Sequence, residues 1–140
     1  MLQTKQAGGP VLPQTPSEIL REMSLKEKTA MLAGVDDWNL RGVPGLGVEG
    51  IKVSDCGHGV TQVGENESAA TCFPTGIGMA STWNSALLED AGRVIGLEAR
   101  ALGCSLLLGP KINIHRIPLN GRSFETFSED PWLAGLHRSR

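Results

Sequence analysis

The sequence predicts an α/β fold built on a parallel sheet, and three observations carry that prediction. A short, partly β-branched run, "IKVSD", ends at Asp55, and runs of this kind read as strands. The stretch "ALLEDAGRVIGLEARALG" sets Leu87, Ala91, Val94/Ile95, Glu98 and Leu102 along one helical stripe. A second apolar run, "CSLLLGP", closes on Gly-Pro and reads as a fully buried strand. Strand, connection, helix and buried strand in that order make a βα-β unit, whose strands pair in parallel.

The remaining elements follow in chain order. Residues 1–16, rich in Pro, Gly and Gln, read as a flexible leader, and residues 17–140 as the structured part. Ser17 can cap a first short helix. Ser24 and Glu27 have capping-box spacing before Leu25, Lys28, Met31 and Leu32, with Gly34 as the stop. Residues 35–50 read as irregular chain with a turn at Pro44–Gly45. Residues 56–80 carry no regular signal, and a connection of that length marks a site-forming loop. Asn84 or Ser85 caps the long helix and Gly103 ends it. "FSEDPWLAGL" begins another helix with Pro131 in its first turn. Two strands cannot close a barrel or make a doubly wound sheet, so the reading expects further chain to complete the fold.

Bulk properties remove several classes of function. Net charge is −2 with no Lys/Arg block before the terminal "HRSR", which argues against a nucleic-acid or anionic-membrane surface. No window approaches a membrane span and no signal-length apolar stretch stands at the start, so the expected location is cytoplasmic. Cys56, Cys72 and Cys104 have no Cys-x-x-Cys spacing. They read as free thiols, with no metal and no cofactor expected. Neither phosphate-binding glycine motif follows a strand, and Gly-x-Ser-x-Gly is absent.

The residues with chemical promise lie in two places. Asp55 sits just past a strand end, where α/β folds hold ligands. Its carboxylate can accept two adjacent hydroxyls of a polyol or sugar, or it can cap the glycine-rich turn behind it. His58 can donate to a ligand or brace Asp55, or serve as a structural group. Arg116 and Arg122 flank "IPLNG", and Glu125, Glu129 and Asp130 follow. Arginine suits bidentate contact with carboxylates or vicinal hydroxyls. For Arg122 the ligand and structural readings stand level, whereas for Arg116, Glu125 and Glu129 a rigid Arg–Glu lattice explains the pattern better. Trp38, Trp83 and Trp132 can offer a platform for a ring substrate, although core packing is the simpler expectation for Trp83.

These motifs together resemble family 3 of the glycoside hydrolases, the β-glucosidase type. "MSLKEKTAMLAG" resembles the family's opening helix and "GLGVEGIKVSDCGHGV" its first barrel strand and sugar-contacting turn. "CFPTGIGMASTWNSALLEDAGRVIGLEARALGCSLLLGPKINIHRIPLNGRSFETFSEDPWLAG" resembles the next helix, strand and Gly-Arg…Ser-Glu-Asp-Pro loop. The resemblance implies the first units of an incomplete (β/α)8 TIM-type barrel. It implies that Asp55 binds hydroxyls of the terminal glucose, that Arg122 grips the same sugar, and that His58, Arg116 and Glu125 shape the pocket. Trp38 resembles an aromatic residue near the site. The chain departs from the family at Cys56–Gly57, where Gly-Pro is common, which loosens the turn.

The family mechanism is retaining, with a carboxylate nucleophile and a carboxylic acid/base. The resemblance places both beyond residue 140, together with a Lys-His pair of the sugar pocket, and gives Glu125, Glu129 and Asp130 no catalytic role. The implied parent activity is release of terminal β-D-glucose from β-glucosides or short gluco-oligosaccharides. β-Xylosidase or β-N-acetylglucosaminidase activity, or an inactive truncated sugar-binding protein, are the alternatives. The 140 residues alone are expected to be inactive and to need the rest of the chain for a complete barrel.

Overall fold

The computed structural model describes residues 15–61 and 69–138, with side chains described as far as residue 135. Most of the expected leader therefore lies outside the described residues. The chain divides into two units, one ending at Ile51 and one beginning at Lys52.

In the N-terminal unit, helix α1 (Pro16–Glu22) starts from a capping box on Thr15, not on Ser17. The Glu18 carboxylate accepts the Thr15 backbone N–H at 2.8 Å. Pro16 takes the first helical position, where its missing N–H costs nothing, and this puts the cap one residue before it. Helix α2 (Leu25–Ala30) begins at the Ser24–Glu27 box that the spacing predicts. It ends before Gly34, because the next backbone bonds tighten to three-residue spacing, from Leu32 N–H to Thr29 and from Ala33 N–H to Ala30. A two-residue strand, β1 (Asn39–Leu40), and a 3-10 turn over Pro44–Leu46 follow. Met23 and Val43 are the buried apolar residues described in this unit.

The paired residues of the parallel sheet, Val53–Asp55 and Leu106–Leu108, lie in the C-terminal unit. Strand β2 (Ile51–Asp55) pairs with β3 (Leu106–Leu108) in the register Val53–Leu106, Ser54–Leu107 and Asp55–Leu108. Between them, the connection expected to be irregular contains helix α3 (Gly76–Ala80), capped by Thr75. Two glycines in five residues hid it from a propensity reading. Helix α4 (Ser85–Ala101) starts at Asn84, whose side chain accepts the Leu87 N–H at 3.1 Å, and turns out through Gly103. Helix α5 (Pro131–Arg138) opens on Pro131 as expected.

The core of this unit is Val60, Ala99 and Cys104, with Ala70, Ile95, Leu102 and Leu107 packed against it. The buried face of α4 runs through Leu88, Ile95 and Ala99, while Leu87, expected on the stripe, is 52% exposed. Strand β3 also departs from expectation. Side chains alternate along a strand, and Leu107 meets the core while Leu106 and Leu108 stay 44% and 54% exposed. Among the described residues that second face is covered only in part. Trp83, expected in the core, is 75% exposed with a left-handed φ of 54°.

Candidate functional site

The end of β2 builds the first half of the site. Ser54 is fully buried, and its hydroxyl donates to the carbonyls of Thr61 at 2.5 Å and Asp55 at 3.0 Å. The Thr61 N–H returns to the Asp55 carbonyl at 3.0 Å, closing the turn 55–61 on itself. The Phe73 N–H donates to the His58 carbonyl at 2.7 Å, so the segment leading into α3 lies along this turn. Thr71 is fastened in its place by Glu98 of α4, whose carboxylate accepts both the Thr71 hydroxyl and its N–H. The backbone of Asp55 is thus committed. Its carboxylate is exposed and makes no hydrogen bond among the described residues, which leaves its lone pairs available to hydroxyl donors.

Arg122 and Glu125 build the second half on a 3-10 turn over Ser123–Glu125. Arg122 Nε donates to Glu125 Oε1 at 2.8 Å and Oε2 at 3.0 Å, and Nη2 donates to Oε2 at 2.6 Å. The carboxylate end is nearly enclosed, with 14% of the Glu125 side chain exposed, whereas Arg122 remains 69% exposed. Fork geometry explains this division: one edge of the guanidinium is held, and its remaining N–H groups are free to bind hydroxyls. The hydrogen-bonded Glu125 raises the Arg122 pKa, and the nearby Asp55 charge adds to that effect. A carboxylate acceptor and the open edge of a guanidinium therefore share one electrostatic neighbourhood. That pairing suits a vicinal diol.

The two halves touch through rings and backbone. His58 stacks on Phe124, centroids 5.5 Å apart with planes inclined by 24°. A Cβ added to Gly76 would lie 2.5 Å from the Glu125 carbonyl oxygen, so the N-terminus of α3 sits directly against the Arg122 turn. Thr126, fully buried, donates to the Ser123 carbonyl at 2.7 Å and pairs with His115 Nδ1 at 3.0 Å.

Cys56 lies beside Asp55. Burial pushes its thiol pKa up, a backbone bond from Gly59 pulls the other way, and the Asp55 charge raises it further. It stays a protonated thiol at neutral pH and a poor nucleophile. A cavity of about 200 Å³ lies behind the turn, lined by Cys56, His58, Met79, Ile95, Leu107 and Phe127 among others. It backs the site with apolar surface.

The structure thus brings Asp55, His58, Arg122 and Glu125 together. Arg116 is exposed and forms no ion pair among the described residues. Glu129 lines a separate cleft of about 320 Å³ with Trp83 and His115. Trp38 stands in the N-terminal unit, half-buried, its backbone N–H donating to Asp36 Oδ1 at 2.8 Å. Sequence reasoning missed Phe124 and Lys111. Phe124 lies inside the motif already singled out. Lys111 stands just beyond the second strand, the same kind of position that drew attention to Asp55.

The Glu125 carboxyl is held below the usual glutamate range, first by the Arg122 hydrogen bonds against the pull of burial, then by the charges of Arg122, Lys111 and His58. A depressed carboxylate pKa contributes stability that is fully present above the unfolded value of about 4.3 and disappears as pH falls through the lower folded value. A carbon-13 titration of the chain is expected to show Glu125 protonating below the usual glutamate range. Titration within that usual range would contradict the enclosed pair.

The description "Glycosyl hydrolase family 3 N terminal domain" matches residues 39–137. The chain belongs to glycosyl hydrolase family 3. Thermostable beta-glucosidase B of Acetivibrio thermocellus is 41% identical over 125 residues, which is 84% of this chain and 17% of that protein. The crystal structure of the Kluyveromyces marxianus beta-glucosidase in complex with glucose superposes with a TM-score of 0.83 at 40% identity, over 88% of this chain and 15% of that one. Beta-glucosidase 3B of Thermotoga neapolitana in complex with glucose gives a TM-score of 0.79 at 36% identity, over 88% and 20%. The chain therefore spans about one sixth of the length of the curated relatives it matches. The matched residues 39–137 include the Asp55 turn and the Arg122 loop.

Proposed function

We propose that these residues form part of the terminal-sugar subsite of a retaining β-glucosidase, with Asp55 and Arg122 binding hydroxyls of a terminal β-D-glucosyl residue and His58 shaping the pocket. The observation that carries this reading is the exposed Asp55 carboxylate within electrostatic reach of a guanidinium, one edge of which Glu125 already occupies. Two relatives of solved structure were crystallised with glucose, which supports glucose as the sugar.

In this reading residues 17–140 are the opening of a (β/α)8 barrel, with β2 and β3 as neighbouring strands. The half-exposed Leu106 and Leu108 fit a strand awaiting cover from polypeptide outside these residues. The nucleophile and the acid/base come from that same polypeptide. Glu125 cannot serve as either, because its oxygens are committed to Arg122.

A hybrid tests the reading: the Kluyveromyces marxianus enzyme carrying residues 39–137 of this chain in place of its own matching segment. Hydrolysis of an aryl β-glucoside is expected, in preference to the β-xyloside and the N-acetyl-β-glucosaminide. The 140-residue chain alone is expected to hydrolyse none of them. A folded hybrid that preferred either other glycoside would overturn the assignment to glucose.

A further inference from the structure

We propose that Lys111 is a positioning residue of the sugar site, tying the end of β3 to the turn from which Arg122 and Glu125 project. The inference rests on the β-glucosidase reading for its functional consequence, though not for its geometry.

Lys111 follows β3 by two residues, Gly109 and Pro110, so its backbone is set by the sheet. Gly109 packs onto the Cys56 carbonyl with no room for a Cβ, which fixes the start of this segment against the Asp55 turn. Eleven residues further along the chain, the Arg122 carbonyl accepts the Lys111 ammonium at 3.2 Å. The other ties on the Arg122 backbone are local and long, from its N–H to Asn120 Oδ1 at 3.2 Å and from the Glu125 N–H to its carbonyl at 3.2 Å. Lys111 alone among these partners reaches the turn from the sheet.

The Lys111 ammonium also lies close enough to Glu125 for its charge to act on that carboxylate. Lys111 therefore meets the Arg122–Glu125 unit twice, by a bond to its backbone and by attraction to its acid. Neither contact involves the reacting bond. Loosening this turn should weaken the grip on sugar in the ground and transition states alike, and such uniform loss appears in KM.

The test uses the hybrid enzyme with Lys111→Met, Lys111→Gln and Lys111→Arg, and amide hydrogen exchange of residues 122–126 in the same proteins. The Met and Gln variants are expected to raise KM for the aryl glucoside about fivefold to tenfold, with kcat changed by less than about threefold. The turn amides should exchange faster in both. Arginine, which keeps a cationic donor, should recover most of the KM and most of the protection. Unchanged KM and unchanged exchange in Met and Gln would overturn the proposal, as would a loss confined to kcat. If the unsubstituted hybrid folds and hydrolyses nothing, the β-glucosidase reading fails. Exchange at 122–126 then decides the role of Lys111 alone, and unaltered rates in the Gln variant reject it.

Discussion

Asp55→Ala is expected to lower kcat/KM of the hybrid enzyme by roughly 10²–10⁴-fold. The proposed role gives its carboxylate two hydroxyl partners, and hydrogen bonds to a charged group are worth about 1.5–3 kcal/mol each. About 3–6 kcal/mol of lost transition-state binding corresponds to that range of rate. The same substitution should leave stability within about 0.5 kcal/mol, because the exposed side chain makes no hydrogen bond in the described structure and the turn is held by backbone and by Ser54. Steady-state kinetics and thermal unfolding of one preparation separate the two effects. A stable variant with normal kcat/KM would remove Asp55 from the site, and a variant that unfolds would make it a structural cap.

Gly59→Ala should have the opposite profile, acting on the fold first. Gly59 has φ of 116°, a conformation that side chains rarely adopt. An added Cβ would press on the Thr71 carbonyl and lie 3.2 Å from the Phe73 ring. Thr71 cannot easily retreat, because Glu98 on α4 holds both its hydroxyl and its N–H. Backbone strain of about 1–3 kcal/mol adds to that collision, for an expected loss of about 2–4 kcal/mol. The hybrid's thermal midpoint should fall, and activity should fall with it as Asp55 and His58 shift on the distorted turn. Retention of the original midpoint would mean that the turn accommodates a side chain the present geometry excludes.

What could be read from the sequence, and what could not, divides along physical lines. Features fixed by neighbours in the chain were legible. The Ser24–Glu27 box, the Asn84 cap and the ends of both strands depend on a few adjacent residues. Arg122 and Glu125 are three apart, so one turn suffices to join them. Asp55 was legible as a candidate because a strand end is a known place for ligands.

Burial was less legible because it depends on what covers a surface. "CSLLLGP" has the composition of a fully buried strand, yet within β3 only Leu107 meets the core among the described residues, joining Cys104 just before the strand. Trp83 reads as a core residue by size, and it stands exposed beside a cleft for the same reason. On α4 the expected stripe ran through Leu87, Ile95 and Leu102, and packing against Val60 and Cys104 kept Ile95 and Leu102, added Ala99 and left Leu87 outside. Lys111 was hidden differently. Its bond to a carbonyl eleven residues on exists only because the chain returns after β3.

The central claim is that Asp55 and Arg122 together bind the terminal glucose. A crystal structure of the hybrid enzyme soaked with glucose tests it most directly. The expected result is one sugar with hydroxyl oxygens about 2.5–3.2 Å from the Asp55 carboxylate and from an Arg122 nitrogen, with the Arg122–Glu125 fork intact. Glucose bound elsewhere, or touching neither residue, would contradict the account.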